Sequence, residues 1–294
     1  MGLDVYQSVT DRILDLLEQG TVPWRKPIKS SGGEGGWPSN LSSKRPYRGI
    51  NVFLLAVTAW TEGYESPHWL TFRQVKEKGG YVRKGEKGSL VVFWKQYATK
   101  DRSTGDPITV PVLRHYTVFN TEQCDKLPPP EEEADTEPAE PFEPIEAAAS
   151  IVAGYDDGPA IGHGGGRAFY RPSKDMVRTA EPSRFVSRES YYCTLFHELV
   201  HSTGHSKRLD RGLDRELRAF GDPDYSKEEL IAEMGAAFLA AAAGISPPTI
   251  EQSAAYIDGW RRKLTGDKKL VIQAAGAAQR AADWIRGERP EPGQ

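Results

Sequence analysis

Apolar residues recur every three or four positions at the start of the chain, where Leu3, Tyr6, Val9, Ile13, Leu16 and Leu17 form one stripe that Gly20 ends. This predicts an amphipathic helix with one buried face. A second helix fits Asn51 to Trp60, and Thr71 is placed to cap a short one running to Gly79. The period then changes. Ser89-Leu90-Val91-Val92-Phe93-Trp94-Lys95 and the alternating stretch from Ile108 to Val118 predict two strands, joined by a turn around Ser103-Thr104-Gly105-Asp106. Residues 1–126 therefore predict an α+β module, a compact sheet with helices rather than a helix-turn-helix.

Periodicity stops at Leu127-Pro128-Pro129-Pro130-Glu131-Glu132-Glu133, and the stretch through Pro144 has too little apolar content to fold. Residues 127–150 read as an acidic linker, either solvated or lying as a strap against a basic neighbour. Helical spacing returns in residues 151–287. Tyr191 to His205 has Tyr192, Leu195, Phe196, Leu199 and Val200 apolar, no internal Pro, and Gly204 as a stop. Lys227-Glu228-Glu229-Leu230-Ile231-Ala232-Glu233 opens the next helix, whose apolar run through Phe238 and Leu239 predicts a buried element packed on the first. Residues 288–294 read as a disordered tail. The expected fold class is α+β in two domains, the second mostly helical with a small sheet.

Composition narrows this picture. At 294 residues, with 38% hydrophobic and 27% charged, the chain has room for two domains, each with its own core. Two cysteines are too few and too far apart for a disulfide framework or a Cys-based zinc site. No apolar run has transmembrane length and the N-terminus is amphipathic rather than signal-like, so a bacterial cytoplasmic protein is expected. The net charge of −3 divides unevenly: +5 over residues 1–126, −8 over 127–150, and zero over the remainder.

The most specific chemistry is His197-Glu198-Leu199-Val200-His201. On a helix, His197 and His201 at i and i+4 point the same way and can share one ion, while Glu198 lies about 100° round from His197. There it is placed as a general base for a metal-bound water, the geometry of a zinc hydrolase. A third ligand belongs on a later element. Glu229 and Glu233 are again i and i+4, so one can bind metal while the other hydrogen-bonds a ligand histidine. Ser226-Lys227-Glu228-Glu229 is also S-x-x-E, and a simple capping box is the alternative for Glu229. His205 competes as a ligand, although Gly204 should break the helix before it. Cys193, on the same face as His197, reads as a small buried residue or as a redox thiol. Zinc is the default ion, and a His2Glu set also admits Mn or Co; two imidazoles fit a Mg-dependent nuclease poorly.

Rings and cations interleave in the first module. Trp24, Arg25 and Lys26, then Arg45, Tyr47 and Arg48, then Trp69 with Phe72 and Arg73, then Tyr81 with Arg83, Lys84 and Lys87 suit single-stranded nucleic acid, whose bases stack on rings and whose phosphates need neutralising. Buried core aromatics are the competing explanation. Gly162-His163-Gly164-Gly165-Gly166-Arg167 lacks the Lys-Ser or Lys-Thr of a P-loop and reads as a loop before a strand at Arg167 to Tyr170. Tyr170 and Tyr225 are candidate oxyanion donors.

H-E-L-V-H followed by E-L-I-A-E resembles the gluzincin pattern, which implies Glu229 on the metal and Glu233 orienting a ligand; the family has Asp or Asn where this chain has Glu233. Pro23-Trp24-Arg25-Lys26-Pro27, Tyr47-Arg48-Gly49-Ile50-Asn51, Trp69-Leu70-Thr71-Phe72 and Val82-Arg83-Lys84-Gly85-Glu86-Lys87-Gly88 resemble the N-terminal domain of ArdC-type plasmid antirestriction proteins, a domain shared with TraC-type primases. Ala168-Phe169-Tyr170-Arg171-Pro172, Tyr191 to His205, and Arg208-Leu209-Asp210-Arg211 resemble the zincin-like metallopeptidase domain of the same proteins. The resemblance implies a plasmid-encoded protein that binds single-stranded DNA without strong sequence preference and shields incoming conjugated DNA from restriction. It also implies a metallopeptidase-type half with a protein substrate, and no membrane partner.

Overall fold

The computed structural model describes residues 4–25, 37–100, 103–128, 144–213, 223–245 and 254–288. Helix α1 spans Val5–Glu18, with Asp4 as its N-cap accepting from the Gln7 amide. Its stripe is the predicted one: Val9, Ile13, Leu16 and Leu17 are buried. Strand β1 (Ser39–Asn40) precedes helix α2 (Ile50–Glu62), strand β2 (His68–Thr71) and helix α3 (Phe72–Glu77). Thr71 caps α3 as expected, in a reciprocal capping box with Gln74. Strands β3 (Tyr81–Val82) and β6 (Cys124–Asp125) pair with each other, and between them lie β4 (Ser89–Lys100) and β5 (Pro107–Asn120).

The main sheet has the order β1-β2-β5-β4, parallel between β1 and β2 and antiparallel elsewhere. Strands β4 and β5 stay in register from Ser89↔Val118 to Lys100↔Pro107. Only the inner end is core: Val91, Val92 and Val118 are buried, while most of the ribbon beyond Phe93 is exposed. Strand β4 is a sheet edge, and the buried Asn51 of α2 satisfies it. The Asn51 amide donates to the Val92 carbonyl and accepts from the Val92 amide, both at 2.7 Å. One side chain thereby replaces the missing neighbour strand and sets the helix against the sheet.

The second half holds helix α4 (Pro144–Ala153), strands β7 (Ala160–His163), β8 (Phe169–Arg171) and β9 (Met176–Thr179), then α5 (Arg188–Ser202), α6 (Pro223–Ala242), α7 (Ala254–Gly266) and α8 (Leu270–Ile285). The small sheet runs β7-β9-β8, which leaves β8 at an edge beside α5. Helices α5 and α6 approach closely at Gly235, where an added Cβ would lie 2.7 Å from Val200 Cγ2.

Two expectations are corrected. The largest core is not confined to one half: one buried cluster runs from Val9, Ile13 and Leu17 through Phe53 to Phe196, Phe238, Ala278 and Ile285, while two small clusters, one of Leu55, Trp69 and Val91 and one of Leu41, Leu70 and Val75, belong to the first half alone. Phe53 and Phe238 stack at 4.8 Å, and Trp24 meets Trp260 edge-on at 5.8 Å. The reason is steric, because Ala274, Ala275, Ala278, Ala281 and Ala282 keep α8 thin enough for α1 and α2 to reach it. The linker expected over 127–150 is also too long, since Pro144 onward belongs to α4, with Ala148 buried in that core. Residues 129–143, and 289–294 of the expected tail, lie outside the described residues. Phe238→Ala should remove a wall of the shared core and cost about 3–5 kcal/mol. Calorimetry should show one lowered transition for the whole chain; a first-half transition that stays put would contradict a common core.

Candidate metal centre and the family of the chain

Helix α5 starts at Ser187, whose hydroxyl accepts from the Ser190 amide, and ends at Thr203. Its phase presents His197 and His201 together, with Nε2 atoms 3.1 Å apart and rings edge-to-face at 4.8 Å. Glu229 on α6 completes a triangle: Oε2 lies 3.6 Å from His197 Nε2 and Oε1 lies 3.5 Å from His201 Nε2. Donors held about 2.0–2.1 Å from a common tetrahedral centre stand roughly 3.3 Å apart, so the three atoms match one face of such a site. Among the described residues this is the group of His, Cys, Asp and Glu spaced to hold an ion. Glu198 sits beside it, 8% exposed.

The capping-box alternative for Glu229 fails because α6 begins at Pro223, three residues before Ser226, and Glu229 is turned to the two histidines. Glu233 does not orient a histidine. Its carboxylate accepts from Trp24 Nε1 at 3.0 Å, from Arg25 at 3.2 Å and from the Tyr256 hydroxyl. One turn beyond Glu229, it faces the Pro23–Arg25 turn rather than α5.

The orienting carboxylate is Glu228. Its Oε1 lies 3.3 Å from His201 Nδ1, and Arg211 grips both its oxygens at 2.8 and 2.6 Å. Arg211 also donates to Thr203 Oγ1 and to the Val200 carbonyl, which ties this carboxylate to the end of α5. Burial alone would lower the His201 pKa, but Glu228 and Glu229 outweigh it and raise it to about 10. Burial works to raise both carboxylates, yet Arg211 and His201 hold Glu228, and the two histidines hold Glu229, below the usual carboxylate range.

A cleft of about 550 Å³ opens beside His197, lined by Phe185, Val186, Cys193, Ala237, Arg25 and Glu233. Cys193 is half-buried on the wall of this cleft, and burial pushes its thiol up to about 12, away from the low range of a redox thiol. His205 lies past the helix end, its Nδ1 accepting from the Lys207 amide at 3.2 Å. The Tyr170 hydroxyl donates to Asp175 at 2.8 Å, and the Tyr225 side chain lies outside the described residues. His163 ends β7, and the Gly164 carbonyl accepts from Arg178 at 3.3 Å, so the glycine-rich stretch serves a strand end.

The expected nucleic-acid residues divide. Trp24, Tyr47 and Trp69 are 1%, 4% and 0% exposed, so they are core and cannot stack on bases where they stand. Arg25 pairs with Glu233, Arg48 with Asp283, and Arg83 with Glu86. Arg45, Lys84 and Lys87 are exposed, and Lys26 lies outside the described residues. The exposed rings are Trp60, Phe72, Tyr81, Phe93, Trp94 and Tyr116, of which Phe72 and Tyr81 lie in the expected ring-and-cation stretches. On one face of the ribbon, Lys95 and Arg114 both lie over the Tyr97 ring, at 5.4 and 5.3 Å. Strand alternation marked these residues, but alternation cannot tell where a ribbon leaves its core.

Comparison with known proteins identifies the family of the chain. Residues 3–119 match the family described as the N-terminal domain of anti-restriction factor ArdC, and residues 147–277 match a zincin-like metallopeptidase family. The protein y4eC of Sinorhizobium fredii is 36% identical, with 98% of this chain and 93% of that one covered. A DNA primase TraC of Escherichia coli is 36% identical over 95% of this chain, which spans only 27% of the primase. A second TraC primase of that organism is 34% identical, and this chain spans 20% of it. The metal-free crystal structure of antirestriction protein ArdC from plasmid R388 superimposes with a TM-score of 0.76 at 40% identity, covering 97% of this chain and 98% of that one. Its Mn(II)-bound form gives 0.75 at the same identity and coverage. With both modules matched in order and the likeness running the length of both chains, this protein belongs to the ArdC family of antirestriction proteins.

Proposed function

We propose that this protein binds single-stranded plasmid DNA entering by conjugation, protects it from host restriction, and carries a divalent-metal peptidase site. The observation that carries the metal reading is the His197–His201–Glu229 triangle, backed by Glu228 and Arg211. The Mn(II)-bound structure of the R388 relative supports a divalent ion, with zinc our default for a His2Glu set. When bound, the ion supplies Lewis-acid polarisation of a carbonyl and makes water more acidic. The remaining work falls to side chains. Glu228 fixes the His201 ring, and Glu198 accepts a proton from the attacking water and passes it to the leaving amine. The apolar cleft beside His197 receives the side chain next to the scissile bond.

Shielding of DNA with a silent metal site is the competing reading. One observation favours it: Trp24 and Arg25, from the N-terminal module, wall that cleft and hold Glu233. We assign DNA binding to residues 1–126, through the ribbon rings and the exposed Arg45, Lys84 and Lys87, and the peptidase site to residues 151–287. The place of action is the bacterial cytoplasm, and no helix among the described residues is long and apolar enough to cross a membrane.

Anisotropy of labelled oligo-dT with the full chain tests the DNA reading. Affinity should fall steeply with salt, log K dropping by about 0.7 per decade for each neutralised phosphate. Absent or salt-insensitive binding would remove the DNA half of the proposal.

A further inference from the structure

On the far side of Glu228 from His201 lies a groove of about 620 Å³ between the ribbon and helices α6 and α8. Its walls carry Arg211, Lys227 and Arg280, with Glu228 as the carboxylate among them, and Trp94 stands at the ribbon side. The floor is small: Gly276 and Ala277 lie one turn before Arg280 on α8. Among the described residues of the groove, three cations against one carboxylate leave an excess of positive charge. Arg211 spends its charge on Glu228, and among the described residues Lys227 donates to the amide oxygen of Gln273, at 3.3 Å. Arg280 is exposed; the protein packed around it, and then the like charge of Arg211, lower its pKa, while Asp283 acts oppositely and is already held by Arg48. Like charges lining one groove favour a shared anion.

Ring and cations together choose the anion. Trp94 is 52% exposed, with Tyr6 edge-on at 6.3 Å and Lys269 over the Tyr6 ring at 5.7 Å. A flat exposed ring beside several cations suits a base and its phosphates, and the groove is far larger than a single inorganic ion needs. We propose that this groove seats the phosphate backbone of single-stranded DNA with a base against Trp94, and that its occupancy is coupled to metal binding through Arg211 and Glu228.

The coupling follows from shared groups. A phosphate on Arg211 takes part of the guanidinium's charge from Glu228 and leaves that carboxylate a stronger acceptor for the His201 Nδ1 proton. A firmer partner there fixes the ring and raises its basicity as a ligand. Linkage is reciprocal, so metal must tighten DNA binding by the factor by which DNA tightens metal binding.

The proposal rests on the single-strand-binding reading, and the experiment separates the two. Oligo-dT affinity is measured against salt for the full chain, in chelator and with saturating MnCl2. Lys227→Gln combined with Arg280→Gln should cut affinity at least about tenfold and reduce the salt slope by about 1.4, two contacts at roughly 0.7 each. Trp94→Leu should weaken binding about tenfold with the slope unchanged, since it removes stacking and no charge. Manganese should tighten wild-type binding at least about fivefold. In Glu229→Ala the two curves should coincide, which excludes a general effect of manganese on DNA. Thermal melts and manganese stoichiometry of the variants report the fold. Wild-type affinity and slope in the double Gln variant would overturn the groove, and equal wild-type affinities with and without manganese would overturn the coupling; either leaves the DNA reading standing. Failure of wild type to bind would sink both.

Discussion

Glu229→Ala is expected to lose stoichiometric divalent metal, with affinity falling more than about 100-fold, beyond the 10–100-fold that follows loss of an orienting partner. Its carboxylate spans both histidines, at 3.6 and 3.5 Å, so truncation leaves two imidazoles on one helix and no donor from α6. The loss should show in stability as well. Saturating ion at about 1,000 times its Kd stabilises a folded protein by roughly 4 kcal/mol, on the order of 8 °C in Tm for a chain of this size. Wild type should gain that shift on adding manganese or zinc and lose it in chelator, while Glu229→Ala melts at one temperature throughout. Elemental analysis that finds one equivalent of metal in the variant would take Glu229 out of the ligand set.

Glu198→Gln should separate chemistry from binding. The amide keeps the shape and a hydrogen-bonding oxygen at an 8%-exposed position, so fold and metal content should match wild type. It cannot take a proton at neutral pH, and losing a positioned general base costs about 10²–10⁴-fold in rate. Hydrolysis of an unfolded protein substrate, compared at equal metal loading, reads this directly. The same variant in a conjugation assay with a restricting recipient decides between the readings of biological role. Loss of plasmid survival would tie protection to peptide-bond chemistry; full survival would assign protection to the DNA-binding surface.

Much of the site was legible because it is local. His197, Glu198 and His201 share a single helix whose period follows from backbone geometry, so their arrangement needed no knowledge of the fold. Glu229 was legible for a weaker reason, as a carboxylate opening the next apolar helix. Which of its neighbours would orient a ligand was not legible. Glu228 and Glu233 are both within a turn of Glu229, and the choice depends on how α6 is rotated against α5, a contact set by Val200 lying against Gly235. Arg211, the residue that holds Glu228, comes from a loop with no periodicity to place it.

The ring-bearing surface shows the same limit. Trp24 and Trp69 share a sequence signature of ring beside cation with exposed stacking residues, yet both are core. Burial of an aromatic depends on what lies opposite it, and for Trp24 that is Trp260, more than two hundred residues away. Phe93, Trp94 and Tyr116 are exposed because their ribbon runs past the body of the sheet. By itself, then, the sequence determined α1 to α3, the long ribbon, α5 and the apolar helix after it, the placing of His197 and His201 on one face with Glu198 beside them, and, through the resemblance of its motifs, the family, since these follow from period, spacing and motif. The tertiary structure alone decided that the largest core spans both halves, that Glu228 and not Glu233 lies against the histidine, and which rings face solvent. Each of those depends on contacts between segments distant in the chain, and such contacts leave no period in the sequence.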